Sequence, residues 1–316
     1  MLALLFPGQG SQRPRMGEPW TDHPAWALVE RVSAAAGRDV AALLTEADAE
    51  TLRATRNAQL ATFCASVVAL QAARTSGVEY LPVAAVAGHS LGEYTALVAA
   101  GAATLEAAAE LVARRGEAMQ VAAEANPGTM AAVLGLDAEQ VARACEGVEG
   151  AWPANDNAPG QVVIAGTPEG VAAAGEAAKA LGAKRVLPLP VGGAFHSPLM
   201  APAQALLDEA LAATALGAAD VDVVANVDAS AHRDGFAGLL SRQLASPVRW
   251  RESLLALRAV GVTHYLELGP GAELSGMVKR TVADSVRMNV SAPSDLDRLQ
   301  DFLESARRAS PSAPSA

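Results

Sequence analysis

Short apolar runs alternate with long helix-like segments along this chain, and the alternation changes character once, between residues 129 and 191. Upstream, residues 2–6 and 83–87 read as buried strands separated by helical stretches that run to Arg74, the rhythm of an α/β fold. Inside the break, TMAAVLGL reads as a strand, AEQVARACEG as a helix, residues 151–155 as a short strand, GQVVIAG as a strand, PEGVAAAGEAAKALG as a helix and KRVLPLPV as a strand. That order, βαββαβ, is the pattern of a small ferredoxin-like unit. A helix from about Pro198 and strands at VDVVANV and THYLELG then resume the larger rhythm. The chain therefore reads as a discontinuous large α/β domain, residues 1–126 and 192–304, with a small domain, residues 127–191, inserted into it. From Ser305 the sequence SARRASPSAPSA is rich in Ser, Ala and Pro, and residues 305–316 read as a disordered tail.

Composition narrows the function classes. With 34 acidic and 24 basic residues the formal charge is −10, which argues against a general affinity for nucleic acid or an anionic membrane surface. No apolar stretch approaches the roughly 20 residues of a membrane span. The opening MLALLFPGQGSQ lacks a basic lead, so no signal peptide is expected. Two widely spaced cysteines, Cys64 and Cys145, suggest neither a disulfide framework nor a zinc site, which fits a reducing cytoplasm.

The second strand runs directly into GHSLGEY, so Gly88-His89-Ser90-Leu91-Gly92 satisfies G-x-S-x-G in the strand, sharp turn, helix setting the motif requires. Such a turn lifts a serine hydroxyl off the C-terminal edge of the sheet and aims the free N–H groups of the next helix at a developing oxyanion. A serine that merely N-caps the helix would fit the bare pattern too, but the strand-to-helix setting favours a nucleophile.

A serine nucleophile needs a base, and the chain has five histidines. His89 adjoins the serine, but neighbours in a tight turn point apart. His23 and His232 sit among polar and charged residues and read as surface groups, while His264 opens an apolar strand. His196 follows VGGAF and precedes the helix-start signal Ser197-Pro198, which places it on a loop at an element boundary. A lone loop histidine is more often inert, so position alone does not assign it.

In ATLEAAAELVARRGEAMQ, Ala108, Leu111, Val112, Arg115 and Met119 share one helical face, which sets a single charge on an apolar stripe. Its neighbour Arg114 turns toward Glu110 and Glu117, where a solvated ion pair accounts for it. Two readings of Arg115 stand side by side. Either its stem is buried with the head in water or on a structural carboxylate, or its fork is aimed into a cavity to hold a substrate carboxylate.

Six segments together carry a resemblance: FPGQGSQ from Phe6, GHSLGEY from Gly88, RRGEAMQ from Arg114, NAPGQVVIAG from Asn157, FHSPLM from Phe195 and LELGPG from Leu266. The chain resembles, collinearly from Leu2 to about Leu303, the malonyl-CoA:acyl carrier protein transacylases of fatty acid and polyketide synthesis. The resemblance implies an α/β-hydrolase-like large domain, an inserted ferredoxin-like domain and an active site in the gorge between them. It implies Ser90 as the acylated nucleophile, His196 as its base, the main-chain N–H groups of Gln9 and Leu91 as the oxyanion hole, and Arg115 as the clamp on the malonyl carboxylate. Gln243, in SRQLASPVRW, would orient His196. The stretch Gly193-Ala194-Phe195 departs from the bacterial housekeeping form and is closer to modular polyketide acyltransferases, where Phe195 would exclude branched extender units.

The same resemblance implies a CoA thioester as donor and a holo acyl carrier protein as acceptor, whose phosphopantetheine thiol takes the acyl group. It implies a monomer with no metal and no permanently bound cofactor. Carriers of this kind are acidic, so a basic patch at the gorge mouth is expected, with Lys184, Arg185, Arg242, Arg249, Arg251, Lys279 and Arg280 as candidates. A trans-acting polyketide acyltransferase with another acyl unit would use the same machinery, and a serine esterase or thioesterase would share the elbow and the histidine. Against a hydrolase, no carboxylate between serine and histidine stands out as a triad acid, and Arg115 would go unexplained. A non-catalytic carrier-binding protein would have no use for Ser90, His196 and Arg115 together.

Overall fold

The computed structural model describes residues 1–309. Its ten strands are β1 (Leu2–Phe6), β2 (Val83–Gly88), β3 (Thr129–Leu134), β4 (Ala151–Ala158), β5 (Gln161–Gly166), β6 (Arg185–Pro188), β7 (Asp222–Val224), β8 (Ala231–His232), β9 (His264–Leu268) and β10 (Val286–Val290). They form two sheets. The larger runs β10-β9-β1-β2-β7-β8, parallel from β10 to β7, with β8 antiparallel at the edge.

β1 explains why this sheet is covered on both faces. All five of its residues are apolar and buried, so neither face can be left to water. Leu2, Leu4 and Phe6 enter the core built by the helices Thr55–Thr75, Gly92–Ala99 and Leu105–Ala125. Ala3 and Leu5 point the other way, onto the helices Trp250–Ala259 and Glu273–Thr281.

The four strands of the smaller sheet all come from the chain between β2 and β7, in the order β4-β5-β3-β6 and antiparallel throughout. The helices Ala138–Cys145 and Pro168–Ala180 cover one of its faces, closing a core around Val133, Val162 and Ile164. This is the βαββαβ unit expected from the sequence. β4 continues past residue 155 to Ala158, because its polar tail has partners elsewhere. Asp156 N donates to the Val248 carbonyl at 2.9 Å, Val248 N donates to the Ala154 carbonyl at 2.8 Å, and Arg251 pairs with Asp156 at 2.8 Å. These bonds lash the small sheet to the large domain beside the helix Trp250–Ala259.

Two strands have no counterpart in the sequence reading. β10, VRMNV, carries Arg287 and Asn289 between its apolar residues, and β8 is two residues long. The expected tail needs correction: residues 305–309 belong to the helix Leu299–Ala309, and the remainder, 310–316, lies outside the described residues. Ala306 completes the stripe begun by Leu299, Phe302 and Leu303 and is buried with them, which a composition argument overlooks. Cys64 and Cys145 are both free and buried, and among the described residues no helix is long and apolar enough to cross a membrane.

Candidate active site

The site begins at the end of β2. Ser90 has φ +50°, a left-handed conformation that costs an L residue about 1–2 kcal/mol and persists only where the surroundings impose it. The glycines make the turn possible. A Cβ at Gly88 would overlap the Gly92 backbone, and one at Gly92 would overlap the Phe6 carbonyl oxygen. Leu91, not Ser90, is the N-cap residue of the helix Gly92–Ala99, so the serine hydroxyl is free for other partners.

Those partners come from far along the chain. His196 Nε2 lies 2.7 Å from Ser90 Oγ, and Arg115 Nη2 donates to the same oxygen at 3.0 Å. His196 is 4% exposed, with φ +58°, and its Nδ1 lies 3.0 Å from the main-chain carbonyl of Gln243. A carbonyl only accepts, so Nδ1 carries the proton and Nε2 is left as the acceptor for the serine O–H. Burial first, and the Arg115 charge second, push the His196 pKa down to about 3, so the imidazole is neutral at neutral pH.

Arg115 is 1% exposed, so a head in water is ruled out, and among the described residues it has no carboxylate within ion-pair distance. Its fork is instead held by neutral acceptors: Nη1 donates to Gln59 Oε1 at 2.7 Å and Nη2 to Gln243 Oε1 at 3.1 Å. The guanidinium carbon sits 5.5 Å from the centre of the Tyr94 ring, and Nε has no partner. A buried cation with no directly paired carboxylate is expensive to maintain for stability alone, and the nearby Glu93 is already engaged by Gln243 and Asn226, so the arrangement is poised for an anionic ligand.

Gln243 has a second task besides its carbonyl. Its Nε2 donates to the Ser90 carbonyl and to Glu93 Oε2, each at 3.0 Å. The two acceptors on one side and the Arg115 donor on the other fix which way the amide faces. Asn226 braces the elbow: its Oδ1 accepts from Ser90 N at 2.6 Å and its Nδ2 donates to the Gly88 carbonyl at 2.7 Å. Glu93 is 1% exposed, and burial raises its pKa to about 7.

A cavity of about 200 Å³ opens above Ser90 between the two sheets. Gln9, His89, Phe195 and His196 line it from the large domain, and Met130, Asn155 and Val163 from the small one. Among the described residues the main-chain N–H groups of Gln9 and Leu91 are bonded to no acceptor, whereas that of Ser90 is taken by Asn226. His89 is turned away from the serine, with Nε2 2.8 Å from Asn157 Oδ1 and its ring against Trp250. His23 caps a short turn, His232 pairs with Asp228 and His264 is buried in β9, so none of the three reaches the cavity.

A family model described as an acyl transferase domain matches residues 3–313. Two proteins named malonyl CoA-acyl carrier protein transacylase, from Bacillus subtilis strain 168 and Escherichia coli strain K12, are each 43% identical to the chain, covering 94% and 92% of it and 95% and 96% of their own lengths. The chain belongs to the malonyl-CoA:acyl carrier protein transacylase family. An acyl-carrier-protein S-malonyltransferase from Burkholderia pseudomallei 1710b superimposes with a TM-score of 0.90 at 41% identity, covering 95% of this chain and 99% of its own. A malonyl-transacylase solved in complex with a type II PKS acyl-carrier protein matches with a TM-score of 0.90 at 38% identity and the same coverage. Of the transacylase residues expected from sequence, Ser90, His196, Arg115 and Gln243 converge within hydrogen-bond distance, and Gln9 and Phe195 line the cavity.

Gln59, Glu93 and Asn226 were not anticipated. Gln59 leaves a trace in the sequence, a polar side chain inside the almost wholly buried helix Thr55–Thr75. Glu93 lies within GHSLGEY, but nothing local distinguishes it from an exposed acid in a first helical turn.

Proposed function

We propose that this protein transfers a malonyl group from CoA to the phosphopantetheine thiol of an acyl carrier protein through an ester on Ser90. The observation that carries the reading is the shared oxygen: Ser90 Oγ has a neutral imidazole acceptor at 2.7 Å and a buried guanidinium with no directly paired carboxylate at 3.0 Å. A base and an anion receptor converge on one nucleophile.

His196 Nε2 takes the hydroxyl proton as Oγ attacks the malonyl thioester carbonyl. The N–H groups of Gln9 and Leu91 receive the oxyanion, and collapse releases CoA, whose thiolate takes the proton back from His196. The carrier thiol then repeats the steps in reverse: His196 removes its proton, the sulfur attacks the Ser90 ester, and Oγ leaves with that proton. The malonyl carboxylate enters on the Arg115 fork, replacing neutral acceptors with an anion. Phe195 closes the space beside the acyl group and favours malonyl over branched units. These side chains complete the chemistry, which calls for neither a metal nor a permanently bound cofactor.

Residues 1–126 and 192–304 act as the catalytic domain and 127–191 as its cover, in a cytoplasmic monomer. A hydrolase reading is disfavoured because His196 Nδ1 meets a main-chain carbonyl where a triad acid would stand, and because water gains nothing from Arg115. Intact-protein mass spectrometry after brief exposure to malonyl-CoA, methylmalonyl-CoA or acetyl-CoA tests the proposal. A malonyl adduct on the native chain and none on Ser90→Ala is expected. Free CoA without an adduct would point to hydrolysis, and neither product would sink the acyl donor.

A further inference from the structure

We propose that Glu93 is the positioning residue of the acylation step, a single carboxylate oxygen that sets both halves of the Ser90–His196 pair. The inference rests on the nucleophile and base assigned above. Glu93 is sealed from solvent and lines no part of the cavity, so it acts through its neighbours and not on substrate.

Its Oε2 accepts two hydrogen bonds, from Gln243 Nε2 and from the main-chain N–H of Asn226, each at 3.0 Å. The first branch leads to the base. Gln243, held by its side chain, presents its carbonyl to His196 Nδ1 at 3.0 Å and its Oε1 to Arg115 Nη2 at 3.1 Å. The second branch leads to the nucleophile. Asn226, held by its backbone, grips Ser90 N at 2.6 Å and the Gly88 carbonyl at 2.7 Å, the two ends of the sharp turn.

Both reacting residues occupy left-handed backbone, φ +50° at Ser90 and φ +58° at His196, and neither conformation persists without outside restraint. Glu93 ties the two restraints to one atom. It stands in the first turn of the helix Gly92–Ala99, three residues beyond the serine, so little slack separates it from the elbow it steadies. Removing the acceptor would leave the Asn226 main-chain N–H and one of the two Gln243 Nε2 hydrogens buried and unpaired, with only the Ser90 carbonyl still holding that amide, and both residues would shift to find other partners. A misplacement of about 1 Å at the base is enough to cost on the order of 100-fold in rate.

The test compares the full chain with Glu93→Ala, Glu93→Asp and Glu93→Gln. Each is followed by rapid-quench mass spectrometry of Ser90 acylation by malonyl-CoA, by Ser90 sulfonylation with phenylmethylsulfonyl fluoride, and by thermal melting. Glu93→Ala should slow acylation at saturating malonyl-CoA about 30- to 100-fold while KM stays within about threefold. Glu93→Gln, which keeps an oxygen acceptor in place, should return to within about fivefold of wild type, with Glu93→Asp between the two. Sulfonylation should follow the same order.

Native rates in Glu93→Ala or Glu93→Asp overturn the proposal, as does a loss confined to KM or an equal loss in Glu93→Ala and Glu93→Gln at unchanged melting. If Glu93→Ala does not fold, the contrast between Glu93→Asp and Glu93→Gln decides. A wild-type chain that is sulfonylated but takes up no malonyl group would overturn the malonyl reading alone, because the Glu93 comparison is still read from sulfonylation.

Discussion

The imidazole of His196 approaches Ser90 Oγ to 2.7 Å across 106 residues of sequence, and its far nitrogen faces the main-chain carbonyl of Gln243. A carbonyl orients the ring but adds no charge, so its hydrogen bond offsets only part of the burial and the Arg115 cation that hold the pKa near 3.

Acylation should therefore tolerate acid. An ordinary histidine base would be only about 3% neutral at pH 5 and would slow the reaction roughly 30-fold from its plateau. With the base neutral down to about pH 3, single-turnover acylation should lose less than about threefold between pH 7 and pH 5. A titration midpoint near 6.5 in that profile would refute the assignment of a buried neutral base.

His196 and Glu93 act on stability with opposite sign. His196, depressed from 6.5 to about 3, contributes stability that is full above 6.5 and lost as pH falls toward 3, because the unfolded chain binds the proton the folded site refuses. Glu93, raised from 4.5 to about 7, beside Arg115 and Asp228, contributes stability that is full below 4.5 and lost as pH rises through 7. Glu93→Gln removes the second slope. Between pH 4.5 and pH 8 the difference in unfolding free energy should move in the variant's favour by roughly 1–3 kcal/mol, measured by urea titration at each pH.

Arg115→Ala should separate acyl donors. Malonyl transfer should fall on the order of 100-fold in kcat/KM, the worth of a charge-assisted fork on a carboxylate, and acetyl transfer no more than about tenfold. Equal losses for the two donors would remove the clamp, leaving Arg115 as a group that acts on Ser90 alone.

The elbow leaves no room for a methyl group at Gly92, where a Cβ would meet the Phe6 carbonyl of β1. Gly92→Ala should cost about 2–3 kcal/mol and lower the melting temperature by about 5 °C or more, with loss of Ser90 acylation. An unshifted melt would mean that the turn has more freedom than its packing implies.

Lys279 and Arg280 are exposed on the helix Glu273–Thr281, whose Glu273, Leu274 and Met277 line the cavity. Neither is paired with an acid among the described residues. Reversing both charges should raise the carrier KM by about tenfold and leave acylation by malonyl-CoA unchanged. Arg249 and Arg251 are weaker candidates for this role, since Glu252 and Asp156 already engage them.

What the sequence by itself determined is the part governed by short range and by period. The all-apolar β1 requires a sheet covered on both faces, the βαββαβ order survives as a four-stranded antiparallel sheet, and the glycine spacing around Ser90 predicts a turn that only glycine can close. The helical period likewise placed Arg115 on a buried face. Where its head went was beyond reach, because a guanidinium in water and one under a serine leave the same pattern in the chain. Tertiary structure decided that, and decided that Gln243 serves His196 through its carbonyl, a group every residue carries and no sequence distinguishes. It also decided the role of Glu93, whose side-chain partner Gln243 lies 150 residues away. A buried polar group is defined by what satisfies it, and here the satisfying groups arrive only once β2, the helix Leu105–Ala125 and the loop before Ser197 have met at one end of the sheet.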